Sequence, residues 1–231
     1  AGAVCGLNPY RTAIQVYQDK ISEEIEELDN EAMRQGREFE DYVAKRFMEA
    51  TGKKVRRANA IFYHEKYPFM LADVDRMVVG ENAGLECKTA SPYMADKWEN
   101  GKIPLSYQIQ CYHYMTVCGA DAWYIAVVIF GKGFRYYKLE RDEEMIADLI
   151  RIEQDFWENH VLKRQIPSPD GSKLADSVIA EYYKQTVAET IPLTGFNEKI
   201  KRRQELSEII GKMDTEKRQI EQELKLYLGE A

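Results

Sequence analysis

Residues Asp73–Lys88 read Asp-Val-Asp-Arg-Met-Val-Val-Gly-Glu-Asn-Ala-Gly-Leu-Glu-Cys-Lys, and this stretch decides the fold. Val74, Met77, Val78 and Val79 form a strand-like run. Gly80, Asn82 and Gly84 supply turn residues, and Leu85, Glu86, Cys87 and Lys88 open a second strand. Side chains alternate along a strand, so Glu86 and Lys88 share one face and Cys87 points to the other. A hairpin centred on Gly80–Glu81 sets Asp75 opposite Glu86 and Asp73 opposite Lys88. Carboxylates and one ammonium then meet on a single patch.

Crowded carboxylates repel unless a cation sits between them. Mg²⁺ binds through one or two carboxylates together with water and substrate phosphate. A lysine beside it can hold an attacking water or offset phosphate charge. Asp, a gap of about ten residues, then Glu-x-Lys is therefore a candidate site for metal-dependent phosphodiester hydrolysis. The same spacing also fits a solvated hairpin face with a cross-strand Asp–Lys pair.

The chain has 231 residues, 45% of them hydrophobic, with 15 Tyr and 8 Phe, which is enough for a substantial core. It contains no run of 18 apolar residues and no visible secretion signal, which excludes a membrane-spanning helix. Cys5, Cys87, Cys111 and Cys118 form no Cys-x-x-Cys pair. They read as small buried residues of a reducing cytoplasm and argue against an iron–sulfur or zinc cluster. The net charge of −7 is unlike that of a general polyanion binder. Much of the acid is local, since residues 22–31 carry six carboxylates. Basic groups cluster at Lys53, Lys54, Arg56 and Arg57, and again at Lys199, Lys201, Arg202 and Arg203.

The pattern predicts a short helix from Thr12 to about Lys20. A long one follows over 30–51, capped by Asp29 or Asn30 and closed by Gly52. Gly36, Glu40, Val43 and Phe47 form one helical stripe. Glu40 is thus either a helix-edge carboxylate paired with Arg37 or Lys45, or one aimed at the patch. Lys54–Tyr63 and Phe69–Val79 read as strands, with His64 in the surface loop between them. Tyr93–Asn100 is a helical turn, and Pro104 starts a helix reaching Cys118 and Gly119. Gln110 and Tyr114 lie one turn apart on it. Ala120–Phe130, the most apolar run, reads as a central strand after a parallel crossover, and Phe134–Leu139 as its hairpin partner. An amphipathic helix follows over Glu143–Lys163. Ile166-Pro-Ser-Pro-Asp-Gly171 breaks the chain, which sets a core of 1–165 against a helical extension of 166–231. In that extension a helix is expected over Leu174–Val187. Residues 196–228 carry Leu206, Ile210, Met213, Ile220, Leu224 and Tyr227 at heptad steps interrupted by Lys217, as in a coiled-coil-like hairpin or an arm for a partner.

Gly36-x-x-x-Glu40, Asp75, Glu86-x-Lys88 and Gln110-x-x-x-Tyr114, in that order, resemble the YqaJ-type viral recombinase nucleases. These are the phage lambda exonuclease branch of the PD-(D/E)XK superfamily. The resemblance spans most of residues 1–171. It includes Gly6-Leu-Asn-Pro-Tyr10, Tyr114-Met115 and the Pro169-Asp-Gly171 turn. It implies an α/β fold, a PD-(D/E)XK nuclease-like mixed β-sheet flanked by helices. It also implies metal ligation by Asp75, Glu86 and the carbonyl of Cys87, with Lys88 as the catalytic lysine and Glu40 as the helix-borne acid. Gln110 and Tyr114 would support the site and contact DNA. Spacing to Glu86 favours Asp75 over Asp73, and Tyr114-Met115 favours Gln110 over Gln108.

The family's substrate is the end of double-stranded DNA, digested 5′ to 3′ with Mg²⁺, or with Mn²⁺ in its place. The product strand passes to a single-strand annealing protein, and the best-known members form homotrimers. The expected setting is the cytoplasm of a bacterial host, with the chain encoded by phage or prophage. The family's Gly-Ser-Asp segment, whose Ser helps hold a 5′-phosphate, would lie just before Ala1. Two other readings remain: a superfamily endonuclease of restriction or repair, and a non-catalytic DNA-end-binding factor.

Overall fold

The computed structural model describes residues 1–23, 30–183, 190 and 192–229. Most of the acidic run of 22–31, and the end of the helix expected to reach Val187, lie outside the described residues. Two compact units are present, Ala1–Lys184 and Gln185–Ala231.

In the first unit, α1 (Ala13–Ile21) starts at Thr12, whose side chain and that of Gln15 cap each other's backbone. The long helix α2 (Glu31–Thr51) is capped by Asn30 and ends at Gly52, whose φ of 70° provides the left-handed closing residue. Val43 and Phe47 are fully buried along its stripe.

Each of the first two expected strands is divided. Lys54–Tyr63 gives β1 (Val55–Arg57) and β2 (Ile61–Tyr63), with Asn59 at a φ of 51° between them. Phe69–Val79 gives β3 (Leu71–Asp73) and β4 (Arg76–Val78). β2 and β3 form a small antiparallel sheet of their own. The larger sheet adds β5 (Ala83–Ala90), β6 (Ala122–Ile129) and β7 (Gly133–Glu140), in the order β1-β4-β5-β6-β7. β5 and β6 run parallel and the other neighbours antiparallel, so the sheet is mixed.

A 3-10 helix, Pro92–Trp98, leads from β5 toward α3 (Leu105–Cys118). α3 completes the crossover to β6, as the apolar run after a helix implied. All eight residues of β6 are buried, because helices cover both faces of the sheet. On one face Val43 and Phe47 of α2 pack on Val78, Leu85, Cys87, Tyr124 and Ala126. On the other, Cys111 and Met115 of α3 pack on Trp123, Ile125 and Val127.

After β7 comes α4 (Glu143–Asp155), which runs on as one π-helical stretch, Phe156–Leu162. The chain then turns through 166–171 into α5 (Lys173–Tyr182), capped by Ser172. Ala175 and Val178 of α5 are buried and the helix packs on α1, so the first unit continues past that break. The second unit holds α6 (Asn197–Leu228), an unbroken helix of 32 residues with none buried. Its Leu206, Ile210, Met213, Ile220 and Leu224 are exposed. Among the described residues no helix is long and apolar enough to cross a membrane.

Candidate active site

β4 and β5 pair with Arg76 opposite Leu85 and Met77 opposite Gly84, which centres the hairpin between Gly80 and Glu81. Continued by one residue, that register sets Asp75 beside Glu86. Asp73 does not face Lys88, because it has left the hairpin to pair with Ile61 in the small sheet, where it is exposed. The larger sheet therefore forks at Val74–Asp75. At the fork β5 has lost its backbone partner, and the carboxylate of Asp75 replaces it. Its Oδ2 accepts the N–H of Cys87 at 2.7 Å. A buried donor left without a partner would cost about 1–3 kcal/mol, so the fork fixes Asp75 against β5.

Glu86 is 2% exposed and in contact with the ammonium of Lys88 through Oε1. Its Oε2 is buried with no hydrogen-bond partner. Burial pushes this carboxyl up, Lys88 pulls it down and Asp75 pushes it up again, and together they raise it to about 7. Burial also raises Asp75, against the pull of the Cys87 N–H and of Lys88. At Lys88 burial opposes the charge, but Glu86 and Asp75 outweigh it, and the group lies above the usual lysine range. Lys88 thus keeps its proton at neutral pH. The Cys87 side chain faces α2 instead, in the opposite apolar layer, where burial pushes its thiol far up.

Glu40 comes from α2. Its Oε2 lies 3.8 Å from Nη1 of Arg76. Burial raises its pKa first, and the charge of Asp75 raises it further, so it belongs electrostatically to the same cluster. Arg76 was missed by sequence reasoning as a site residue. It is 5% exposed, bridges to Asp41 and donates from Nη1 to the Asp75 carbonyl at 2.7 Å. Strand alternation within β4 carries the signal, since Arg76 and Val78 are both buried and Met77 between them is less so.

On α3, Gln110 Nε2 donates to the Tyr114 hydroxyl at 2.8 Å. Burial raises Tyr114, and the charges of Glu86 and Asp75 raise it further. Gln108 turns elsewhere and caps the carbonyl of Ile103 at 2.7 Å. His64 stands apart: its Nδ1 accepts the N–H groups of Lys66 and Tyr67 and closes a loop.

Among the described residues no group of three or more His, Cys, Asp and Glu side chains is arranged to hold a metal ion. The fork offers two carboxylates, one with an orphaned oxygen, and hard oxygen donors only. That set suits Mg²⁺ or Mn²⁺, which take few protein ligands and keep water and substrate phosphate for the rest.

A model of the YqaJ-like viral recombinase domain matches residues 1–121. The uncharacterized protein YqaJ of Bacillus subtilis (strain 168) is 40% identical over 240 residues, all of this chain and 74% of that protein. The chain belongs to the YqaJ-like viral recombinase family. Among solved structures it is similar to the alkaline exonuclease LHK-Exo of Laribacter hongkongensis, with a TM-score of 0.54 at 17% identity, over 74% of this chain and 93% of that one. A phage-related exonuclease of Haemophilus somnus 129PT aligns with a TM-score of 0.52 at 14% identity, over 66% of this chain and 82% of that one. The mixed sheet flanked by helices is thus the fold of phage-type exonucleases, on which this family member places its carboxylates at the fork.

Proposed function

We propose that the chain is a metal-dependent deoxyribonuclease, a 5′ to 3′ exonuclease that degrades double-stranded DNA from its ends. Its role would be phage or prophage recombination by single-strand annealing in the cytoplasm of a bacterial host. The observation that carries this reading is the meeting of Asp75, Glu86 and Lys88 at the sheet fork, with a buried carboxylate oxygen of Glu86 left unpartnered. Membership of a viral recombinase family and the likeness to exonucleases support the same reading.

Asp75, Glu86 and the carbonyl of Cys87 would hold Mg²⁺ or Mn²⁺, which supplies positive charge to the scissile phosphate and makes a bound water more acidic. Asp75 and Glu86 are raised carboxyls, so cation binding is coupled to release of their protons. Lys88 keeps its proton, so it serves as a donor that orients the attacking water or offsets phosphate charge, not as a base. Glu40, held near Arg76, completes the acidic set from α2. Gln110 and Tyr114 cover the site from α3 and contact the DNA. The product strand would pass to a single-strand annealing protein, and a homotrimer around the duplex would favour processive digestion.

The test is digestion of 5′-phosphorylated linear and closed circular duplex DNA, side by side, with Mg²⁺. Loss of the linear form alone into nucleotides is the expected result, and Glu86→Ala and Lys88→Ala should each abolish it in a folded protein. Cutting of the circle would identify an endonuclease. Stable end binding without cleavage under Mg²⁺ or Mn²⁺ would identify a binding factor.

A further inference from the structure

The Lys88 ammonium touches a second group besides Glu86. It lies 4.9 Å from the centroid of the Tyr107 ring, on the first turn of α3. A cation over a ring face is attracted by the ring's negative quadrupole, more strongly where water is excluded. Lys88 and Glu86 are in such a place, with side chains 21% and 3% exposed.

The Tyr107 ring is itself fixed. Its other neighbour is Trp98, stacked on it at 5.6 Å between centroids and 24° between planes. Trp98 is 1% exposed and closes the 3-10 helix that follows β5. Its carbonyl accepts from Nη1 of Arg135 at 2.8 Å and from the Tyr137 hydroxyl, both on β7. Tyr137 also stacks on the Trp98 ring. A chain of contacts therefore runs from β7 through Trp98 and Tyr107 to the lysine. A lysine side chain is flexible, and its four-carbon stem does not by itself aim the ammonium. Glu86 constrains it from one side only.

We propose that Tyr107 is a positioning residue for Lys88: its ring face, backed by Trp98, holds the ammonium at the point where it meets the water or phosphate. This rests on the nuclease reading and adds to it the aromatic half of the lysine's seat. The role belongs to the ring face and not to the hydroxyl, and that separates it from ordinary core packing.

The test replaces Tyr107 with phenylalanine and with progressively fluorinated phenylalanines, which keep the shape and drain the ring face. Tyr107→Leu removes the ring. Steady-state digestion of linear duplex with Mg²⁺ is followed, with unfolding temperature as a check on folding. Phenylalanine should retain kcat within about twofold, and kcat should fall stepwise with fluorination. For leucine kcat should be lower by about tenfold or more, while KM for DNA ends stays within about twofold. Should Tyr107→Leu fail to fold, the fluorinated series alone decides. Activity that is flat across the fluorinated series overturns the proposal, as does a loss confined to KM. A phenylalanine variant as impaired as leucine overturns it too. Each of these leaves the nuclease reading standing. Wild-type protein that digests no DNA overturns that reading, and this proposal with it.

Discussion

The Trp123 ring of β6 lies directly across the bare Cα of its register partner, Gly84, on β5. A Cβ built on Gly84 would stand 2.2 Å from that ring, far inside van der Waals contact. Trp123 is fully buried and packed in the core under α3. Gly84→Ala should therefore destabilise the protein by about 2 kcal/mol or more through overpacking. Urea unfolding measures it. Adding Trp123→Leu should recover part of the loss, because the two positions share one volume. Equal losses in the single and double variants would rule out the clash.

Asp75 has two separable duties, accepting the Cys87 N–H and carrying charge. Asp75→Asn keeps an acceptor and removes the charge, so it should abolish digestion while leaving the unfolding midpoint near that of the wild type. Asp75→Ala removes both and should cost a further ~1–3 kcal/mol through the unpaired amide. Digestion and urea unfolding of the two variants, compared directly, check this. Active Asp75→Asn protein would remove Asp75 from the metal-binding set.

Glu86 makes the metal-free protein sensitive to pH. Its carboxyl is raised from 4.5 to about 7, so between these values the folded state binds more protons than the unfolded one. Stability then falls as pH rises through that window, by up to roughly 3 kcal/mol at about 1.4 kcal/mol per unit. Unfolding in EDTA between pH 5 and pH 8 should show the decline, and Glu86→Gln should flatten it. Mg²⁺, which favours the ionised carboxylate, should stabilise more at pH 8 than at pH 5. A slope unchanged by Glu86→Gln would place the titration elsewhere.

His113 stands between two oxygens, with Nδ1 3.0 Å from the buried Glu153 Oε1 and Nε2 2.8 Å from the Leu71 carbonyl. It thereby ties α3 to α4 and to the small sheet. His113→Leu removes the hydrogen-bond partner of a carboxylate that is 7% exposed, leaving it the Ala1 ammonium, and should cost about 1–3 kcal/mol. Exchanging both, His113→Leu with Glu153→Met, should recover most of it. Thermal unfolding of the three variants decides, and additive losses would refute the pairing.

The hairpin centre at Gly80–Glu81, the Asp75–Glu86 register and the partners Gln110 and Tyr114 were legible in the sequence, because turn residues and helical spacing are local signals. The capped helix of Glu31–Thr51 and the buried parallel strand were legible for the same reason. The fork was not. Lys54–Tyr63 and Phe69–Val79 each look like one strand, and only pairing between distant segments shows that each serves two sheets. Hairpin register alone therefore sets Asp73 against Lys88, whereas its partner is Ile61. Arg76 and Tyr107 escaped for a related reason: a charge on a strand and a tyrosine on a helix acquire their roles only when α2 and α3 arrive on opposite faces.

In an ordinary ladder the Cys87 amide would be locked by a neighbouring backbone carbonyl. Here a titratable side chain holds it. A cation or a proton that competes for the Asp75 oxygens loosens one N–H in the middle of an otherwise continuous strand. The exchange rate of that single amide hydrogen with solvent deuterium becomes a gauge of what the site contains, readable from within the sheet and without any substrate.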